Sequence, residues 1–151
     1  MLYIFMGQSC TGKSTAAEKL KEQTGAEIFS GKDYLRMAKN EDEAWRIFFD
    51  KLSEAASGNN ASGESVIYLI AEISQLDRII DLHGARKVKF TASLDTIKSR
   101  FAERMHGRLP SPVEKMLIRQ YEEWEPVQAD ILIDTTSDND VDTILSTIGL
   151  Q

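Results

Sequence analysis

The sequence predicts an α/β protein, a three-layer α/β/α sandwich around a parallel sheet of about five strands. Three observations lead there. Short β-rich runs alternate with longer segments of helical periodicity, the pattern that gives parallel strands joined by crossover helices. The strongest runs, Leu2–Met6 and Val66–Ile70, are apolar throughout, as strands buried on both faces must be. Finally, 151 residues with 42% hydrophobic and 28% charged side chains suit a globular fold that needs no disulfide or metal to hold its core.

Leu2–Met6 ends at Gly7 and reads as the first strand. A helix follows over 14–23, with Ala16, Ala17 and Leu20 on one side and Gly25 as its stop. Residues 26–29 form a second, short strand. Over 41–57, Ala44, Trp45, Ile47, Phe48, Leu52, Ala55 and Ala56 recur at helical spacing, giving a helix with a wide apolar face. Trp45, Phe48 and Phe49 are expected to line the core or a ligand pocket beneath it. Gly58-Asn59-Asn60-Ala61-Ser62-Gly63 is the clearest loop.

The β-branched and aromatic stretch 65–71 is the most strand-like of all, and a helix over 73–82 follows, ending near Gly84. A fourth strand covers 87–92, where Lys87 and Lys89 alternate with Val88 and Phe90. Next come a helix over 94–105, a Gly/Pro-marked segment over 107–112, a helix over 113–125, a short strand over 131–133 and a closing helix over 141–148. No repeat, low-complexity tract or linker interrupts this order, so one domain over 1–151 is expected.

Charge narrows the function classes. Lys plus Arg is 18 and Asp plus Glu is 24, a net charge of -6, which disfavours nucleic acid polymers and anionic membranes. No apolar run approaches the ~20 residues that span a bilayer, and Met1–Met6 lacks the basic start and cleavage site of a signal peptide. Cys10 is the single cysteine, and no Cys/His spacing suggests zinc. A cytoplasmic chain, monomeric or a small homo-oligomer, is the expectation.

One motif carries chemistry. Gly7-Gln8-Ser9-Cys10-Thr11-Gly12-Lys13-Ser14 fits G-x-x-x-x-G-K-[ST], the Walker A form, at every fixed position, between an apolar strand and an amphipathic helix. In that setting successive backbone N–H groups and the helix N-terminus form a concavity for a nucleotide's β-phosphate. Lys13 can reach the β- and γ-phosphates as a point charge, and the Ser14 hydroxyl can ligate Mg²⁺. No guanine-reading N-K-x-D is present. Asp81-Leu82-His83-Gly84 matches D-x-x-G, but no strand leads into it. Cys10 reads as a small filler of the loop, and neither His83 nor His106 is marked as catalytic.

A phosphate loop this close to the N-terminus of so small a chain resembles the P-loop nucleoside monophosphate kinases and shikimate-kinase-like small-molecule kinases. The resemblance implies a P-loop kinase-like fold, ATP and Mg²⁺ as cofactors, and a small-molecule or nucleotide acceptor. It assigns Gly7, Gln8, Ser9, Cys10, Thr11, Gly12, Lys13, Ser14 and Thr15 to the nucleotide, with Lys13 catalytic and Ser14 on the metal. Ser30-Gly31-Lys32-Asp33-Tyr34-Leu35-Arg36 looks like the acceptor segment of adenylate kinases. There Asp33 would orient or deprotonate the acceptor hydroxyl or help hold Mg²⁺, and Arg36 would pair with an anionic group.

Arg100, Arg104 and Arg108 recur every four residues, so a continued helix would stack them on one face, running into a lid near 104–116. By the resemblance one arginine of such a helix packs on the adenine and others reach the phosphates, which assigns Arg100 to the nucleotide and Arg104 and Arg108 to the transferred phosphoryl. Arg119-Gln120-Tyr121 and the approach to the last strand resemble the shikimate-kinase-like ending. That would turn Arg119 to the acceptor and place Thr135, Thr136 and Ser137 beside the base. Glu72, after the third strand, would bind acceptor, act as base or hold the Mg²⁺ shell through water.

The chain departs from its relatives in lacking the D-x-D and triple glycine of shikimate kinases and the D-G-F-P-R of adenylate kinases, so neither shikimate nor AMP is implied. The expected function is ATP-dependent phosphoryl transfer to a small molecule. A non-catalytic ATP-binding regulatory module and a nucleoside monophosphate kinase proper are the alternatives.

Overall fold

The structure, a computed structural model, describes residues 1–58, 65–137 and 141–149. Its elements follow the predicted order: β1 (Leu2–Met6), α1 (Lys13–Thr24), β2 (Glu27–Ser30), a 3₁₀ turn (Asp33–Met37), α2 (Glu41–Ser57), β3 (Val66–Ile70), α3 (Ile73–Asp77), β4 (Arg86–Thr91), α4 (Leu94–Arg104), α5 (Ser111–Trp124), β5 (Ile131–Asp134) and α6 (Val141–Ile148). The strands form one sheet in the order β2-β3-β1-β4-β5, every pairing parallel. β1 lies at its centre, which is why all five of its residues are buried.

Side chains leave each strand alternately to the two faces. Leu2, Ile4, Met6, Val66, Tyr68 and Ile70 pack under α2 and the 3₁₀ turn around the fully buried Phe48. Tyr3, Phe5, Ile67, Val88, Phe90 and Ile133 pack under α1 and α6 with Leu20 and Leu145. A third cluster joins α4, α5 and the phosphate loop through Ile97, Leu117, Ala92 and Cys10. The small, buried Cys10 fills this junction, as expected.

Local signals set the helix ends. Asn40 caps α2 by accepting a hydrogen bond from the Glu43 N–H, and Ser93 caps α4 by accepting from the Thr96 N–H. Two expectations need correction. The helix foreseen over 73–82 stops at Asp77, and the chain continues through i→i+3 bonds from Ile79 N–H to Leu76 O and from Leu82 N–H to Ile79 O. Three residues per turn place both Ile79 and Leu82 in the core, which an α-helical pitch would not do as squarely. The second strand also starts one residue later than foreseen, with Ala26 buried ahead of it. Of the predicted loop Gly58–Gly63, Gly58 closes α2 and residues 59–63 lie outside the described residues.

The lysines alternating along β4 have a structural explanation. Lys89 is 9% exposed, and its ammonium donates to the Glu125 and Val127 carbonyls at 3.1 and 3.0 Å, satisfying the C-terminal end of α5. Burial pushes its pKa below the usual lysine value.

Candidate active site

β1 delivers the chain into the loop at Gly7, whose φ is +143°. A Cβ there would stand 2.2 Å from the Phe90 carbonyl oxygen, so only glycine lets β1 hand over to the loop this close to β4. The loop then turns through left-handed backbone at Cys10 (φ 68°) and Gly12 (φ 92°) before α1 begins. No side chain caps α1, so the N–H groups of its first turn remain for an anion. Lys13 folds back over the loop, its Nζ donating to Gly7 O at 2.7 Å and to Gln8 O at 2.8 Å. It is only 8% exposed, and burial pushes its pKa down from 10.5 to about 8, with Cys10 opposing the shift and Arg104 adding to it.

Three adjoining cavities lie beyond the C-terminal ends of the strands, where open α/β sheets bind ligands. The first, about 320 Å³, lies between Ser9, Lys13 and Ser14 on one side and Gly31, Glu72 and Gln75 on the other, with Arg104 at its edge. The second, about 250 Å³, shares Cys10, Gly12, Thr15 and Arg104 with the first and is closed by Arg100, Thr135 and the apolar Val141 and Ile144 of α6. The third, about 230 Å³, shares Gly31, Glu72 and Gln75 with the first and is walled by Tyr34, Trp45, Tyr68 and Arg78. The cavity beside Lys13 and Ser14 is thus flanked by one pocket with an apolar wall and one with an aromatic wall.

The third cavity holds a fixed cation. The Arg78 guanidinium lies 4.0 Å over the Trp45 ring and donates to the Tyr34 hydroxyl at 2.7 Å. Tyr34 also stacks on Phe48, so the wall is braced by the core. The Tyr68 hydroxyl donates to Gly31 O at 2.8 Å. Burial, with Tyr34 and Asp33 beside it, pushes the Tyr68 pKa up to about 12, while Arg78 pulls the other way.

The structure brings many of the predicted residues together. Ser9, Cys10, Gly12, Lys13, Ser14, Thr15, Glu72 and Arg104 line the first cavity, and Arg100 and Thr135 line the second. Gln8 and Thr11 instead hold the loop from behind. The Gln8 amide donates to Leu117 O at 2.8 Å and the Thr11 hydroxyl to Gln8 O at 2.6 Å.

Others are placed elsewhere. Asp33, expected on the acceptor and metal, accepts the Ser30 N–H at 2.8 Å and lines none of the three cavities. Arg36 is exposed on the 3₁₀ turn and also stands outside them. Arg108 does not continue the Arg100–Arg104 face, because α4 ends at Arg104. His106 (φ 61°) and Gly107 (φ 88°) are left-handed, and the Gly107 N–H returns to Ala102 O at 2.7 Å. The segment 104–116, expected as a lid, consists of the last residue of α4, a turn over 105–107, an irregular stretch over 108–110 and the first turns of α5. Arg119 points to solvent from α5, opposite the buried Leu117, with its Nε 3.6 Å from Glu123. Thr136 is held by Asp134 and Ser93, and neither it nor Ser137 reaches the second cavity.

Arg78, Gln75 and Tyr34 were absent from the sequence expectations. The signal that could have found them is the spacing of three in Glu72, Gln75 and Arg78, directly after the strand paired with β1.

Among the described residues no group of three or more His, Cys, Asp or Glu side chains could hold a metal ion, and no helix is long and apolar enough to cross a membrane. The donors present suit a Mg²⁺ that arrives on nucleotide phosphates, which needs only one or two protein oxygens. Ser14 and Glu72 on the first cavity can supply them.

No family model matches the sequence, and no curated protein does. Solved structures share the fold. Shikimate kinase from Bacteroides thetaiotaomicron superposes with a TM-score of 0.62 at 14% identity, over 99% of this chain and 94% of that one. A gluconokinase from Sinorhizobium meliloti gives 0.59 at 17% identity over 97% and 87%. The YorR protein of Bacillus subtilis, solved in complex with phosphorylated GDP, gives 0.60 at 23% identity over 98% and 93%. The chain thus has the fold of P-loop small-molecule kinases.

Proposed function

We propose that this chain is an ATP-dependent phosphotransferase that moves the γ-phosphoryl group of ATP onto a hydroxyl of a small, anionic acceptor. The observation that carries this reading is the run of three adjoining cavities with the phosphate loop in the middle one. The base sits in the pocket closed by Val141 and Ile144, and the phosphates lie on the loop amides and Lys13. The acceptor occupies the pocket walled by Tyr34, Trp45 and Arg78. Mg²⁺, when bound, neutralises phosphate charge, and Ser14, with Glu72 through water, is placed to hold it.

The remaining roles follow from position. Glu72, shared by the first and third cavities, takes the proton from the acceptor hydroxyl as its oxygen attacks the γ-phosphorus in line, and the bond to the β-phosphate oxygen breaks to release ADP. Arg104 faces the charge that spreads over the transferred group. Arg78 takes the acceptor-gripping role that the sequence suggests for Arg36. Asp33 contributes by holding Ser30 at the cavity wall.

The test is ADP release from MgATP across a panel of hydroxylated acids, sugars and the five common nucleoside monophosphates. Acceptor-stimulated release is expected, and Lys13→Ala should lower turnover by about 10³-fold or more while the folded state persists. Turnover of that variant within a few-fold of wild type would overturn the mechanism. Tight ATP binding with no stimulated release from any acceptor would favour a regulatory nucleotide-binding module, and stimulation by a nucleoside monophosphate alone a nucleoside monophosphate kinase.

A further inference from the structure

The resemblance assigns Arg100 to the nucleotide, but the hydrogen bonds around it describe a task on the loop. Cys10 is a non-glycine residue in left-handed backbone, a conformation that persists only when neighbours enforce it. The two carbonyls that follow this bend are both tied down. The Arg100 Nη1 donates to Cys10 O at 2.9 Å, and the Thr135 hydroxyl donates to Thr11 O at 2.9 Å. The two anchoring residues are also joined to each other: Nη1 of Arg100 reaches the Thr135 Oγ1 at 3.1 Å, and Nη2 reaches the Thr135 carbonyl at 2.6 Å. Gly12 packs against the same threonine, with room for a Cβ only 3.3 Å from its methyl group.

In a trans peptide the C=O and the next N–H point in opposite directions. With the Cys10 and Thr11 carbonyls drawn toward Arg100 and Thr135, the N–H groups of Thr11 and Gly12 are turned away from that clamp. They point to the opposite side of the loop from α4 and the end of β5. A guanidinium suits this because its planar fork satisfies two acceptors at once in a fixed geometry.

We propose that Arg100, together with Thr135, is a positioning residue for the phosphate loop: it governs phosphate affinity through the Cys10 and Thr11 carbonyls and not through contact with the base. The inference rests on the reading of the loop as a nucleotide-phosphate cradle. It makes the wall of the base pocket and the shape of the cradle one hydrogen-bonded unit.

Isothermal titration with MgATP and with magnesium tripolyphosphate, which has no base, tests it. Wild type is expected to bind both. Arg100→Ala should weaken both by the same factor, about 10- to 100-fold for lost bonds to a charged donor, with stoichiometry unchanged. Arg100→Lys should fall nearly as far, because one ammonium cannot span the Cys10 and Thr135 carbonyls as the fork does. Thr135→Val, which keeps shape and leaves Arg100 its carbonyl bond, should weaken both ligands about equally and by less, and it decides the matter alone if Arg100→Ala does not fold. The proposal is overturned if the Arg100 variants lose ATP but keep tripolyphosphate, which would mean base contact. Arg100→Lys at wild-type affinity would overturn it in favour of bare charge, and reduced stoichiometry at unchanged affinity in favour of a purely structural role. Wild type that binds neither ligand overturns the nucleotide reading itself, an outcome distinct from all of these.

Discussion

Phosphate binding should draw a proton from solution, and the amount follows from Lys13. Its ammonium is 8% exposed and its pKa is pushed down from 10.5 to about 8, by burial first, with Arg104 adding to the shift and Cys10 opposing it. At pH 8 about half of the unliganded molecules carry a neutral Lys13, against about a tenth at pH 7 and about nine-tenths at pH 9. A polyphosphate on the loop surrounds the amine with negative charge and restores the ammonium. MgATP binding should therefore take up about 0.1, 0.5 and 0.9 protons at pH 7, 8 and 9. Titrations at each pH in buffers of different ionisation enthalpy read this directly, as the slope of observed heat against buffer heat. A slope of zero from pH 7 to 9 in a chain that does bind MgATP would refute the reasoning, because Lys13 would then be fully charged before the ligand arrives.

The same group sets a stability profile whose sign can be worked out. Well below pH 8 Lys13 is protonated both folded and unfolded, so it contributes no slope there. Between about 8 and 10.5 the unfolded chain keeps the proton that the folded chain has lost, so unfolding free energy rises with pH. The drop from 10.5 to about 8, at ~1.4 kcal/mol per pKa unit, is worth about 3 kcal/mol. Tyr3 and Tyr68, both raised, act in the opposite sense above pH 10. They cancel when wild type is compared with Lys13→Met in urea melts, where the difference should rise by about 3 kcal/mol from pH 7 to 11. On the proposed reading, a phosphate on the loop would offset the cost of this buried charge.

Four further outcomes are expected. Gly7→Ala should cost about 3–5 kcal/mol in denaturant unfolding, since its Cβ would meet the Phe90 carbonyl oxygen at 2.2 Å in backbone at φ +143° that alanine avoids. Arg78→Gln should raise the acceptor KM by about 10- to 100-fold with the ATP KM unchanged. Arg36→Gln and Arg119→Gln should stay within about two-fold of wild type in both, since neither lines the acceptor cavity. Phe48→Ala should destabilise by about 3–5 kcal/mol in the same melts, because the ring is fully buried between Phe29, Tyr34 and Tyr68.

What could be read from the sequence is what short-range physics decides. β1 and α2 form over the residues predicted for them because an apolar run ending at glycine and a wide apolar stripe at helical spacing are signals carried within the segment, even though β1 then pairs with the distant β3 and β4. The phosphate loop is legible for the same reason, since the strand, the turn and the opening of the helix are contiguous. The third cavity is not, because its parts meet only across the fold: Arg78 bonds Tyr34 from 44 residues away, and Tyr68 reaches Gly31 across 37. From the chain alone Asp33 and Arg36 look like a matched carboxylate and cation, yet Asp33 is used three residues back on the Ser30 N–H.

The arginines at 100, 104 and 108 show how a true periodicity can mislead. Spacing by four implies a shared face only while the helix lasts, and His106-Gly107 ends it before Arg108. Of the two arginines that remain on the helix, Arg104 borders both the first and the second cavity, whereas Arg100 is bound to loop and threonine carbonyls. A charge held by backbone carbonyls on one side of a loop is no longer free to follow a ligand on the other. The regular spacing of the three arginines therefore resolves into one residue on the wall of two cavities, one bonded to the Cys10 and Thr135 carbonyls, and one exposed beyond the helix end.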